Sequence, residues 1–394
     1  MATVIIAGAG IGGLTAALAL ARYGFRVALL EQAPRLEETG AGIQLSPNAS
    51  RILIELGVGE PLSRRAVAPA ELRVMNAPTA RVLARGPLGT AAEQRYGAPY
   101  WVIHRGDLQA VLIEAVRADP RISLELDARI DDYAVHGNGV TVAGLCGGRP
   151  LERHGIALIG ADGLWSSVRR RLGHHDQPAF ARHTAWRALV AADAVVADLR
   201  LPAVSLWLGR NAHLVHYPVR GGSLVNVVAI IRDDWREPGW HAPGDRRELL
   251  ERYPSGAWPA PARALLTAPQ HWHKWALYDR APIAHWGEGP VTLLGDAAHP
   301  MLPYLAQGAA MAIEDAAVLA MRMGGTPHDP AGAMRSYERH RLARTARAQR
   351  EARRNGTVYH LGGARALLLA IALAGMGGER LIARYDWLYG WKPG

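Results

Sequence analysis

Short, continuously apolar runs separated by glycine-rich turns dominate the first part of the chain. Thr3-Val-Ile-Ile-Ala7 is apolar and β-branched throughout, as a parallel strand buried on both faces requires. It passes into Gly8-Ala-Gly10-Ile-Gly-Gly13, and then into Leu14 to Tyr23, an alanine- and leucine-rich stretch that predicts a helix stopped by Gly24. A second apolar strand, Val27 to Leu30, ends at Glu31. Two later apolar runs, Ile156 to Ile159 and Val291 to Leu294, also predict short strands. After Gly173 the texture changes. Trp186–Val190, Val204–Leu208, His213–Val219 and Leu224–Ile231 predict an antiparallel sheet, with turns at Gly209-Arg210-Asn211 and Arg220-Gly-Gly222. Met334 to Asn355 reads as an arginine-rich helix, and Leu361 to Trp391 as a short helical, aromatic tail.

Strand, G-x-G-x-x-G, helix, strand and terminal acid stand in the order of a dinucleotide-binding unit. Gly8 permits the tight turn, Gly10 lets backbone N–H groups approach a pyrophosphate, and Gly13 lets the helix pack on the strand. The helix N-terminus adds unpaired donors and partial positive charge. Glu31 can accept both ribose hydroxyls of an adenosine and would repel a 2′-phosphate. The nucleotide is therefore expected to be FAD or NAD rather than NADP. The motif does not separate the first two.

The later strands do. Each leads into an aspartate just past its carboxyl end, where open α/β sheets bind ligands: Gly160-Ala-Asp162-Gly163 and Gly295-Asp296-Ala-Ala-His299-Pro300. Taken singly, either aspartate could be a helix cap. In this order the three motifs resemble those of the class A flavoprotein monooxygenases, the FAD-dependent aromatic hydroxylases. Gly40–Asn48, Ile103-His-Arg105-Gly-Asp-Leu108 and Gly295–Asp315 resemble the branch that contains 3-hydroxybenzoate 6-hydroxylases, salicylate 1-hydroxylases and 6-hydroxynicotinate 3-monooxygenases.

The resemblance implies a Rossmann-like α/β FAD-binding domain of the p-hydroxybenzoate hydroxylase type, an inserted antiparallel-sheet substrate domain and a C-terminal helical tail. The expected boundaries are 1–72, 98–175 and 271–345 for the first, 73–97 and 176–270 for the second, and 346–394 for the tail. It further implies that Asp296 holds FAD near its ribityl chain and pyrophosphate, and that Asp162 serves FAD and the nicotinamide donor. Arg105 would lie on FAD, and Gln44, Pro300, Gly308 and Ala309 would complete its site. No second G-x-G-x-x-G is present, so NADH or NADPH would bind transiently. O2 would add to the reduced flavin as a C4a-hydroperoxide, which hydroxylates a small phenolic aromatic acid. A larger or heteroaromatic substrate, and a flavin protein that only turns NADH and O2 into H2O2, are the alternatives.

Along His213–Tyr217 a period of two puts His213, Val215 and Tyr217 on one face, and Leu214 and His216 on the other. A histidine with a pKa near neutrality suits a base that removes a phenolic proton, so His213 and Tyr217 are the expected catalytic pair. Val215, Pro303 and Gln44 are expected at the substrate; at Pro303 the 3-hydroxybenzoate hydroxylases carry glutamine. The hydroperoxide needs a dry site, to which Trp272, Trp275 and Trp286 are candidate contributors.

Composition removes other classes. The 394 residues contain one cysteine, Cys146, which excludes an intramolecular disulfide framework, a CxxC pair and a cysteine-rich metal site. No metal is expected, since His213 and His216 are split across the sheet and His271 and His273 lack a carboxylate. A reducing cytoplasm is the expected location. The net charge of +10 attracts anions without naming one. The basic helix is read as a solvated face that draws in anionic substrate, because nucleic-acid binding would call for interleaved aromatics. Ala366 to Met376 is too short to span a bilayer and reads as a buried or interface helix, with a homodimer expected from the resembled branch.

Overall fold

In the computed structural model, residues 2–36, 41–239 and 242–393 are described; Gly40, which opens the Gly40–Asn48 segment, lies outside them. A six-stranded sheet is organised around β1 (Thr3–Ala7). On one side lie β2 (Arg26–Leu30) and β3 (Ile122–Glu125), and on the other β4 (Ala157–Gly160) and Val291–Leu293, all parallel. Gly287–Glu288 closes the edge antiparallel. Helix α1 (Ile11–Arg22) covers it as the alanine-rich pattern predicts. Ile5, Ile6, Leu14, Leu29 and Leu158 are fully buried between the layers. The register aligns Ala7 with Leu30 and with Gly160, and Gly160 with Leu293. All four strands therefore end on one edge, and the glycine-rich loop, Glu31, Asp162 and Asp296 emerge there together.

The second sheet has eight strands. Its centre consists of β5 (Ala179–Ala191), β6 (Ala203–Gly209), β7 (Ala212–Val219) and β8 (Leu224–Arg232), which contain the four predicted runs. Their order is β5-β8-β7-β6, antiparallel, with the hairpin Glu71–Asn76 and Val82–Pro87 beyond β6. On the far side β9 (Trp272–Asp279) pairs with β5, Trp275 opposite Ala185. The expected boundary at 270/271 therefore falls just ahead of a strand that belongs to this sheet, because β5 extends seven residues earlier than its predicted start and offers β9 an edge.

One face of the sheet packs Trp186, Trp207, Leu214, Val227 and Leu265 into a separate core. The other lies against Leu302, Tyr304 and Leu305 and against a long helix from the C-terminal part. That part comprises α2 (Gly308–Gly325), α3 (Pro330–Tyr359), α4 (Gly363–Ala374), α5 (Gly378–Ala383) and α6 (Asp386–Tyr389).

The basic stretch within α3 is not simply a solvated face. Met334, Tyr337, Arg341, Thr345, Ala348 and Ala352 recur at helical spacing and are buried, so Arg341 sits on the core stripe. Arg339, Arg347, Arg350 and Arg354 remain exposed. Helix α4 is not a buried helix either: among its residues only Leu373 is buried. No single helix is long and apolar enough to cross a membrane among the described residues.

Candidate active site

The glycine-rich loop is shaped by sterics. Gly8 has φ +99°, and a Cβ there would lie 2.5 Å from the Ala161 carbonyl oxygen. A Cβ on Gly13 would lie 1.9 Å from the Gly8 carbonyl oxygen, whereas Gly10 faces open space. Close packing thus explains two of the glycines and leaves the middle one free for a ligand. Glu31 ties the loop down, its Oε2 accepting from the Ala9 N–H at 2.7 Å and its Oε1 from the Ala33 N–H at 2.8 Å. Each carboxylate oxygen keeps a further lone pair for a ribose hydroxyl.

Asp162 does cap a helix. Its Oδ2 accepts from the Ser167 N–H at 2.7 Å and the Val168 N–H at 3.2 Å, at the start of Ser167–Arg171. Its Oδ1, however, is buried with no partner, and its backbone adjoins Gly8. The cap therefore uses one oxygen of the carboxylate and leaves the other available to a ligand.

Asp296 is open to solvent but ringed by protein. Burial pushes its carboxyl up, while His299 and Arg105 oppose the rise. Burial likewise lowers the Arg105 guanidinium, which Asp296 partly restores. A Cβ on Gly308 would lie 3.8 Å from Asp296 Oδ1, so the carboxylate stands at the N-terminus of the 18-residue helix α2. Ala309 follows Gly308 in the first turn, and the Pro300 carbonyl accepts from Gln349 Nε2 at 2.9 Å.

Beneath Asp296 lies a polar network that the sequence pattern did not reveal. His299 Nε2 and Asp315 Oδ2 are 2.5 Å apart, and the Gly295 N–H donates to the same oxygen. Arg341 pairs with Asp315 at 2.7 Å and with Glu314 at 2.5 Å. Asn48 donates to Glu314 at 2.6 Å and to Gln307 at 3.1 Å, and Gln307 donates to Ser46 at 2.8 Å. These groups are buried and bonded to one another, so they fix the segments that carry Asp296 and Gly308 and the residues that follow Gln44.

On the large sheet the predicted alternation is seen. His213, Val215 and Tyr217 face Tyr304 and Leu305, while His216 points into the opposite core and accepts from Trp207 Nε1 at 3.3 Å. Burial drives His216 down to about 3, the behaviour of a core histidine. His213 Nδ1 lies 2.8 Å from His360 Nε2, and its ring centre is 5.5 Å from that of Tyr304. Burial, His360 and His183 hold the His213 imidazole well below its ordinary value. Tyr217 is raised by burial and has Gln44 as its hydrogen-bond neighbour, and Tyr100 donates to Gln44 Oε1 at 2.6 Å. The expected catalytic pair thus shares a face, but each member has its own partner. Pro303 is exposed at the start of the turn Pro303–Leu305.

Of the three tryptophans, Trp275 alone lies on this face. Trp272 is in the opposite core, and Trp286 packs on His299 and Tyr337. Tyr304 lay within a segment already marked by its prolines and glycine. His360 carried no local signal, being 147 residues from His213.

The open Gly10, the unpartnered Asp162 oxygen and the Arg105–Asp296 pair before a helix N-terminus fit FAD. Such an edge, facing a sheet with a buried histidine, suits a flavin-dependent hydroxylase. The chain belongs to the FAD binding domain family, which matches residues 1–352. It is 41% identical to the 3-hydroxybenzoate 6-hydroxylase of Polaromonas naphthalenivorans (strain CJ2), covering 99% of this chain and 96% of that one. It is 39% identical to the 3-amino-4-hydroxybenzoate 2-monooxygenase of Streptomyces platensis, again over 99% and 96%. Its fold matches a salicylate hydroxylase solved with its substrate, with a TM-score of 0.82, 27% identity and coverage of 99% and 96%. It is an FAD-dependent monooxygenase of the class A flavoprotein hydroxylases.

Proposed function

We propose that the enzyme hydroxylates a monocyclic phenolic acid of the hydroxybenzoate or salicylate type, with NAD(P)H as electron donor. The observation that carries this reading is the bond between the buried His213 and the half-buried His360 on the face opposite Pro303–Leu305. His360 Nδ1 is buried with no hydrogen-bond partner, so the one contact that sets the tautomers is the 2.8 Å bond between the rings, in which His360 Nε2 accepts when the shared proton sits on His213 Nδ1. His213 then donates from Nδ1 to His360, and its Nε2 lone pair is free to take a phenolic proton. Removing that proton makes the ring electron-rich. Tyr217 and Gln44 orient the substrate, Val215 lies beneath the ring, and Pro303 borders it.

FAD, when bound, supplies the activation of O2. Gly8, Gly10, Gly13, Glu31, Arg105, Asp162 and Asp296 would hold it, with Gln44, Pro300, Gly308 and Ala309 around its ring. The buried Tyr304 and the half-buried Tyr359 pack on His213 and exclude water from the base. We favour a homodimer, because α4 turns Leu367, Leu368 and Ile371 outward, and a cytoplasmic location, because the lone Cys146 suits a reducing compartment.

The test is NADH oxidation by the yellow holoenzyme against 3-hydroxybenzoate, salicylate, 3-amino-4-hydroxybenzoate and 6-hydroxynicotinate. One phenolic acid is expected to accelerate oxidation and give one hydroxylated product per NADH. H2O2 alone with every compound would overturn the assignment.

A further inference from the structure

The sheet face that carries His213 and Tyr217 also carries a cation that the mechanism above does not use. Arg187 of β5 lies opposite Val228 of β8, which lies opposite Val215 of β7. The three form one row across the sheet. The row Ala185–Ile230–His213 flanks it on one side and the row Leu189–Asn226–Tyr217 on the other. With neighbouring strands ~4.8 Å apart, the Cα atoms of Arg187 and Val215 are separated by about 10 Å. An aromatic ring standing over Val228 and Val215 would therefore meet Arg187 at one edge and His213 or Tyr217 at the other.

The guanidinium is positioned and unpaired. Its Cζ lies 3.8 Å from the centre of the Trp275 ring, which holds it flat. Its Nε is buried without a hydrogen-bond partner, and no carboxylate among the described residues pairs with it. Of the buried arginines, Arg169, Arg280 and Arg341 each have a carboxylate and Arg51 donates to two backbone carbonyls. An interior charge without a counter-ion is costly, and burial together with Arg105 pushes this guanidinium down to about 9. Arg105 has Asp296 beside it, so the unmet demand for an anion belongs to Arg187.

We propose that Arg187 binds the carboxylate of the aromatic acid and thereby restricts the enzyme to acids. This rests on the hydroxylase reading and deepens it. The carboxylate restores the missing counter-charge, and a guanidinium can hold both of its oxygens in one plane. The ring then bridges from Arg187 to the base, which fixes the position of the phenol. Specificity would come from the penalty on neutral analogues, which leave Arg187 desolvated and unpaired.

The test compares 3-hydroxybenzoate with its neutral counterpart 3-hydroxybenzamide, read as binding through perturbation of the flavin absorbance, in the holoenzymes of wild type, Arg187→Gln and Arg187→Lys. Wild type is expected to favour the acid strongly. In Arg187→Gln the acid should bind about 10- to 100-fold more weakly while the amide changes little, and Arg187→Lys should recover part of the loss. Equal losses for both compounds, or no loss, overturn the proposal. A raised KM for NADH with unchanged acid binding assigns the cation to a phosphate of the electron donor and also overturns it. Wild type that binds the amide but not the acid sinks the carboxylate role alone; wild type that binds neither sinks the hydroxylase reading with it.

Discussion

Three imidazoles occupy the centre of the proposed site, and burial keeps them neutral until a phenol beside them can leave a compensating negative charge. His213 and His360 are hydrogen-bonded at 2.8 Å, and His183 stacks on His360 with ring centres 4.6 Å apart. All three are held below the ordinary value by burial, His360 at about 3. A neutral His213 is what a base needs before the substrate arrives. The same arrangement makes folding acid-sensitive. Between the depressed folded values and the unfolded value of about 6.5, the unfolded chain binds more protons, so stability rises with pH across that window and is lost as pH falls through it. Each histidine contributes a slope of up to about 1.4 kcal/mol per pH unit. The denaturant midpoint should therefore fall between pH 7 and pH 5, and His360→Gln should flatten that fall. A variant with the wild-type pH slope would show that the cluster does not control it.

Helix α3 shows how one element can combine exposed and buried charge. Arg341 and Arg350 look alike in sequence, yet Arg341 is fully buried between Glu314 and Asp315 while Arg350 faces solvent. Removing one partner of a buried pair strands the other charges, so Arg341→Ala should lower unfolding stability by about 3–5 kcal/mol. Arg350→Ala should stay within about 0.5 kcal/mol of wild type. Equilibrium denaturation of the two variants distinguishes them, and equal effects would contradict the network. The difference between these arginines marks the limit of what the sequence could show. Strands, the glycine-rich turn and the two aspartate motifs were legible because their periodicity and spacing are local. The pairing of β9 with β5, the role of Arg341 and the His360 partner were not, because each depends on a residue distant in the chain. Arg187 was readable as part of a strand, but its lack of a counter-ion is a property of the folded interior alone.

At the scale of the molecule, the tail closes the structure back onto the site. Arg344 donates to the Trp387 carbonyl at 2.6 Å and the Leu388 carbonyl at 2.9 Å while also pairing with Glu314, so the buried network extends into the last helix. Arg95 and Tyr96 both bind Asp386, and Arg51 donates to the Trp391 carbonyl. These bonds leave α4 as a bracket between two anchored segments. Its outer residues Leu367, Leu368 and Ile371 are 62%, 66% and 61% exposed. Three adjacent aliphatic side chains held in water by a rigid support are a poor solution for a lone protomer, and a second copy of the same helix offers the matching apolar surface. Replacing all three by serine should leave the denaturant midpoint of the protomer nearly unchanged, since little of their surface is buried within it. The same change should shift sedimentation at micromolar concentration from dimer to monomer. A wild-type protein that sediments as a monomer throughout would remove the dimer and leave this face for another partner.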